Sequence, residues 1–157
     1  MPKSGRIVWD ESASAVENAR RKLPPLALAY IEEGRKLVHG RVPEGALHRF
    51  RLRTKRLRYT LEFFRACYGP GLEHRLEMLR QIQDFLGDVN DCAVTREVAV
   101  RKLPARSAER QAMDGFLRRR AQQKVAQFRR YWQTVMDVPG EDRRWRNYLA
   151  RVPGTKS

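Results

Sequence analysis

The sequence is short of acid. Its 157 residues hold 18 Asp and Glu against 33 Lys and Arg, a formal net charge of +15. It has two cysteines, Cys67 and Cys92, too few for a disulfide framework. A reducing cytoplasm is therefore the expected compartment, with both thiols acting as small buried groups. No run approaches the roughly 18 apolar residues of a membrane span, so no membrane insertion is expected. The opening MPKSGRIVWDES has no apolar segment of signal-peptide length. Catalytic signatures are missing as well. There is no glycine-rich phosphate loop, no Glu-x-x-His of a helical di-metal site, no Cys-x-x-Cys or zinc set and no nucleophile elbow. Asp84, Asp88 and Asp91 share helical spacing but lack histidine or a turn, weak grounds for a metal. The expectation is a binding module without catalytic residues, metal or cofactor.

What is present is charge and helical periodicity. A large positive excess attracts polyanions: nucleic acid, polyphosphate or an anionic surface. Hydrophobic residues make up 41% of the chain, enough for one core, and the length suits one domain over residues 1–157 with a loose lead-in over about 1–11. Ser12 or Ser14 is placed to cap a helix running to about Leu23, where Pro24 and Pro25 break or restart it. A second stretch runs to Val38, with Leu26, Tyr30, Leu37 and Val38 available for burial. Further helices are expected over about Glu44–Cys67, Leu72–Lys102, Ser107–Val138 and Glu141–Arg151, punctuated by Gly and Pro. Leu72, Leu76, Leu79, Leu86, Val89 and Ala93 give the helix after Gly71 its apolar face. Strand signals are nearly absent. The fold class is all-α, an up-and-down bundle of about four long helices plus a short C-terminal helix.

The segment from Leu47 to Tyr59 is the most informative. On an ideal helix with His48 at zero, Arg51, Lys55 and Arg58 fall at about 300°, 340° and 280°, one arc of about 80°. Leu47, Phe50, Leu57, Leu61 and Phe64 occupy the core face between about 160° and 260°, and Arg49, Arg53 and Arg56 the opposite flank. The His48 row borders the core edge and should face a groove beside a neighbouring helix. Like charges one turn apart repel by a few tenths of a kcal/mol each. An anion threaded along the row would answer them with charge-assisted hydrogen bonds. Glu62 is placed to pair with Arg58. The competing reading is a solvated helix flank.

In their order, His48, Arg51, Lys55, Arg56 and Arg58, followed by Leu57-Arg58-Tyr59-Thr60-Leu61-Glu62-Phe63-Phe64, resemble the basic signature of the CHAD family. The stretch Leu79-Arg80-Gln81-Ile82-Gln83-Asp84-Phe85-Leu86-Gly87-Asp88-Val89-Asn90-Asp91 resembles the family's second signature. That is a leucine-rich helix ending in Leu-Gly, with an acid four positions beyond the glycine. The resemblance covers about residues 25–135. It implies an all-helical domain that binds inorganic polyphosphate, with anion-binding roles on His48, Arg51, Lys55, Arg56 and Arg58, and association with polyphosphate granules. Typical members carry two related bundles, and this chain resembles the C-terminal half. A homodimer would restore the pair; a monomeric half-domain is the alternative.

Other clusters leave choices open. Gly87 inside a helix costs about 1 kcal/mol relative to alanine. Either the basic helix approaches there and brings Asp91 to an arginine, or two helices cross tightly and Asp91 is a surface residue. Arg120 and Lys124, with Arg130, fall near one face of the next helix and are candidates for the other wall of the groove. Phe116, Leu117, Val125, Phe128, Trp132 and Val135 are expected in the core, with Trp145, Tyr148 and Leu149 docking the last helix. The alternative function is a basic helical RNA- or DNA-binding protein. Single-strand recognition usually adds exposed aromatics. Here Phe50 and Phe64 lie on the core face and Tyr59 alone borders the basic arc, which favours a ligand without bases. A histidine in the row should strengthen anion binding below about pH 6.5, where an ordinary imidazole gains charge.

Overall fold

The computed structural model describes residues 6–43 and 45–151. Among them the chain is helical, with no strand: α1 (Ala15–His39), α2 (Ala46–Phe63), α3 (Arg65–Tyr68), α4 (Gly71–Lys102), α5 (Ala108–Val135) and α6 (Glu141–Ala150). The all-α expectation holds, and α1, α2, α4 and α5 are the four long helices. The positions of Glu44 and residues 1–5, in the expected helix start and lead-in, lie outside the described residues.

Ser14 begins α1 with a capping box: its side chain accepts from the Glu17 amide at 3.2 Å, and Glu17 accepts from the Ser14 amide at 3.1 Å. The described part of the lead-in is tied down rather than loose. Asn18 accepts from the Asp10 amide at 2.8 Å and donates to the Asp10 carbonyl at 2.9 Å, while Trp9 packs on Phe64. The expected break at Pro24 and Pro25 does not occur; α1 runs through both. The physical reason is continuity of burial. Ala19 and Leu23 before the prolines, and Ala27, Tyr30 and Ile31 after them, are all in the core. Burying each large apolar side chain contributes about 1.5–3 kcal/mol, which offsets a proline cost of about 3 kcal/mol.

The expected helix ending at Cys67 instead stops at Phe63. The Phe64 amide turns back to the Leu61 carbonyl, 3.1 Å away, and φ/ψ of −94°/14° starts a separate turn, α3. Phe64 itself is buried, so packing fixes the break. Gly69, at φ +72° and ψ −161°, takes a positive-φ conformation open chiefly to glycine and swings the chain into α4.

The core lies where α1, α2, the first half of α4, the second half of α5 and α6 meet. Its centre is aromatic: Trp132 is enclosed by Tyr30, Phe50 and Phe128, with Tyr30 stacked on Phe50 at 4.8 Å. Thr54 is also fully buried, bonded to the Tyr30 hydroxyl at 2.8 Å and donating to the Phe50 carbonyl at 2.9 Å. Trp145 and Leu149 dock α6 as expected.

α4 and α5 outrun the rest. At 1.5 Å per residue they are about 48 and 42 Å long, against about 27 Å for α2. Among the described residues the far halves form a two-helix hairpin in which no side chain beyond Cys92 and before Leu117 is buried. This corrects the expectation for Phe116, which is 55% exposed rather than in the core; Val89 is half-buried and Ala93 exposed for the same reason.

Candidate functional site

The His48 row lies along α4. His48 Nδ1 is 2.9 Å from Asn90 Oδ1. Arg51 crosses over Gly87, where an added Cβ would lie 3.6 Å from its Nε. Arg58 Nε donates to Gln83 Oε1 at 3.0 Å. The row ascends α2 as the partners descend α4, the register of two antiparallel helices. Positions 83, 87 and 90 share one face of α4, and these three positions are uncharged. On α4, then, His48 and Arg58 meet a neutral amide and Arg51 passes a bare glycine.

Electrostatically the row is open at one end and closed at the other. Arg58 pairs with Glu62 at 2.8 Å and covers the Tyr59 ring at 4.6 Å. Among the described residues, neither Arg51 nor Lys55 makes an ion pair. The Arg51 Nε–H is buried and meets no acceptor among the described residues. Lys55 is half-buried, with its ammonium 5.7 Å from the Tyr59 ring centre. The opposite flank behaves differently: Arg53 is bound to Glu33 of α1.

The remaining predicted residues are spread out. Arg56 is exposed on the far flank of α2, in a recess it shares with Lys55, Trp9, Tyr59 and Phe63. Lys124 of α5 reaches Asp88 of α4 at 3.1 Å, one residue past Gly87 and so about 100° further round that helix. Arg120 is exposed and makes no ion pair among the described residues. The structure therefore sets His48, Arg51 and Arg58 against α4, places Lys55 beside Tyr59 in the recess it shares with Arg56, and leaves Arg120 and Lys124 on α5. At Gly87, the element that approaches is an arginine side chain of the basic helix. Asp91 is exposed and makes no ion pair among the described residues; Asp88, one turn before Asp91, meets Lys124 instead.

Sequence reasoning missed Gln83 and Asn90. Their one signal was spacing, since both lie on the Gly87 face. It also missed Phe63, which is 81% exposed in the recess beside Tyr59 and half-exposed Trp9. Core-facing Phe50 and Phe64 are buried as expected, but α2 shows more aromatic surface than the argument for a base-free ligand allowed.

No helix of the described residues is long and apolar enough to cross a membrane. Comparison with curated proteins and with solved structures yields no match. A sequence model of the CHAD domain matches residues 4–100. CHAD domains in general bind polyphosphate and are non-catalytic. The match starts and ends earlier than the resemblance over about 25–135, so α5, with Arg120 and Lys124, falls outside it. It spans well over half of the chain, including both the cationic row and the α4 face beneath it, and the chain belongs to the CHAD-domain family.

Proposed function

We propose that this protein is a non-catalytic binder of inorganic polyphosphate, which it holds along the α2 row. The observation that carries this reading is the row itself. His48 and Arg51 lie against uncharged positions of α4, Lys55 follows on the same arc of α2, and neither Arg51 nor Lys55 makes an ion pair among the described residues. From His48 to Arg58 the row rises about 15 Å, room for several consecutive phosphates. Each phosphate offers oxygens to an arginine fork or a lysine ammonium, and the buried Arg51 Nε–H gains an acceptor. Binding is electrostatic and repetitive, so affinity falls steeply as salt rises, as it does when counterions are released from nucleic acids. The work is done in the cytoplasm, on free or granule-borne chains.

A second reading has one observation in its favour. Trp9, Tyr59 and Phe63 beside Lys55 and Arg56 offer stacking surface next to positive charge, the combination that single-stranded nucleic acid uses. A competition titration separates the two. Labelled long-chain polyphosphate is bound at about physiological ionic strength, near 0.15 M, and displaced by unlabelled polyphosphate or single-stranded RNA at equal total charge. An advantage for polyphosphate well over tenfold supports the phosphate-chain site. Equal or better competition by RNA gives the function to the second reading. The variant with His48, Arg51, Lys55 and Arg58 all changed to Gln should fold and lose binding; normal binding would move the site elsewhere.

A further inference from the structure

The α4–α5 hairpin carries a second concentration of positive charge that no part of the α2 row explains. Arg96 of α4 donates to Asp114 of α5 at 2.8 Å, and Arg118 reaches the same carboxylate at 3.3 Å. The Arg96 hydrogen bond, with the charges of Arg118 and Arg110 added, holds Asp114 below its ordinary value despite some desolvation. One carboxylate thus faces three guanidinium groups and fixes two of them in place.

These residues line a trench. The recess at the open end of the α2 row contains His48, Asn90, Val125 and Arg129. The next contains Val125 and Arg129 again, with Arg96 and Arg118. The one beyond contains Arg96 and Arg118 again, with Arg110 and Asp114. Each recess shares walls with its neighbour, so the three run in series from His48 towards the hairpin tip. Among the described residues lining them there are four arginines and one carboxylate. The trench is also fixed in shape, since its walls stand on two packed helices joined by the Asp114 ion pairs.

From this geometry we infer that Arg129, Arg118, Arg96 and Arg110 form a second seat for the oxyanions of a phosphate chain, continuing the α2 row past His48. The inference rests on the polyphosphate reading and adds a specificity: preference for long chains. A short chain fills the α2 row alone. A long chain occupies row and trench together, and its second engagement is intramolecular. From Arg110 to Arg129 the trench adds about 28 Å to the path.

The test compares tripolyphosphate with long-chain polyphosphate, titrated against the full chain. The variant R118Q/R129Q changes two surface charges and leaves the Arg96–Asp114 pair intact. It should bind long-chain polyphosphate about tenfold more weakly, with a salt slope shallower by between about 1 and 2. Tripolyphosphate affinity should stay within about twofold of wild type, because the α2 row is untouched. A charge-matched variant on α6, R143Q/R146Q, should lose much less. Two results would overturn the inference: long-chain binding by R118Q/R129Q within twofold of wild type, or an equal loss in R143Q/R146Q, which would mean bulk charge. Failure of the α2 reading has a different signature. The variant lacking the α2 row would then still bind tripolyphosphate, whatever R118Q/R129Q does.

Discussion

Two glycines lie inside helices on opposite sides of the α2 site, and the structure predicts opposite results for the same substitution. Glycine to alanine in a helix interior gains about 1 kcal/mol of propensity. At Gly87 the new methyl has room: its nearest neighbour is Arg51 Nε at 3.6 Å, an ordinary contact. Gly87→Ala should therefore keep most of the gain, which for a chain of this size raises Tm by about 2–4 °C. Polyphosphate affinity should stay within about twofold, since the guanidinium is not displaced. At Gly34 the methyl would lie 2.1 Å from Cη2 of the Trp132 indole, far inside van der Waals contact. That ring is fully buried and boxed by Tyr30, Phe50 and Phe128, so it has no free rotamer to adopt. Overpacking costs about 1–3 kcal/mol and sometimes more. At the upper end of that range, less the propensity gain, Gly34→Ala loses about 2 kcal/mol and Tm falls by roughly 4–8 °C. Thermal unfolding followed by far-UV circular dichroism reads both. A Gly34→Ala protein as stable as wild type would refute the reasoning. So would a Gly87→Ala protein that melts several degrees early, because Gly87 would then be required by something other than the passage of Arg51.

Four further outcomes follow from named contacts. Asn90→Asp places a carboxylate against His48 without changing size; polyphosphate affinity should drop several-fold with Tm nearly unmoved, and unchanged affinity would show that His48 lies off the ligand path. Thr54→Val leaves the buried Tyr30 hydroxyl without its partner and should cost about 1–3 kcal/mol by chemical denaturation, whereas Thr54→Ser should recover most of it. Ser14→Ala removes the N-cap acceptor of α1 and should cost about 1 kcal/mol, measured in the same way. The ion pairs of Asp114, whose carboxyl is held below its ordinary value of 3.8, stabilise the hairpin fully above that pH and are lost as pH falls below it. The stability gap between wild type and Asp114→Asn should close over the same range; a gap that persists in stronger acid would exclude the ion pairs as its source.

The core face of α2 was legible because helical periodicity is rigid: Phe50, Leu57, Leu61 and Phe64 lie where a turn of 100° per residue puts them. Thr54 stands in the same stripe, four residues after Phe50 and three before Leu57, but its hydroxyl disguised it. Its partner, Tyr30, belongs to another helix, so the sequence alone did not bring the two together. Pro24 and Pro25 misled for a related reason. Local preference opposes helix there, and the burial that overrides it comes from distant residues. Phe116 marks a third limit. Periodicity tells which side of α5 is apolar, but not how far along α5 another helix lies against it. The row of cations could be read from α2 alone. That Gln83, Gly87 and Asn90 face it could not, because the pairing depends on the antiparallel register of two helices.

That register separates the His48–Arg51 end of the row from cations that folding pairs with acids. Arg53 meets Glu33, Arg65 meets Glu73, Arg35 meets Asp137 and Lys124 meets Asp88; in each case folding brings an acid to the cation and much of the charge is spent internally. Along the α2–α4 seam the facing positions are an amide, a glycine and an amide. The amides hold His48 and Arg58 in place by hydrogen bonds, and the glycine leaves room for the Arg51 guanidinium to pass over α4. Mutual repulsion along the row costs a few tenths of a kcal/mol per neighbouring pair, small beside the aromatic core beneath it. Fold stability therefore does not depend on cancelling these charges, and they stay available to an anion from outside. Glu62 limits that availability at Arg58, so an anion finds its freest cation of the seam in Arg51, one turn from His48, where the arginine-lined trench of the hairpin opens.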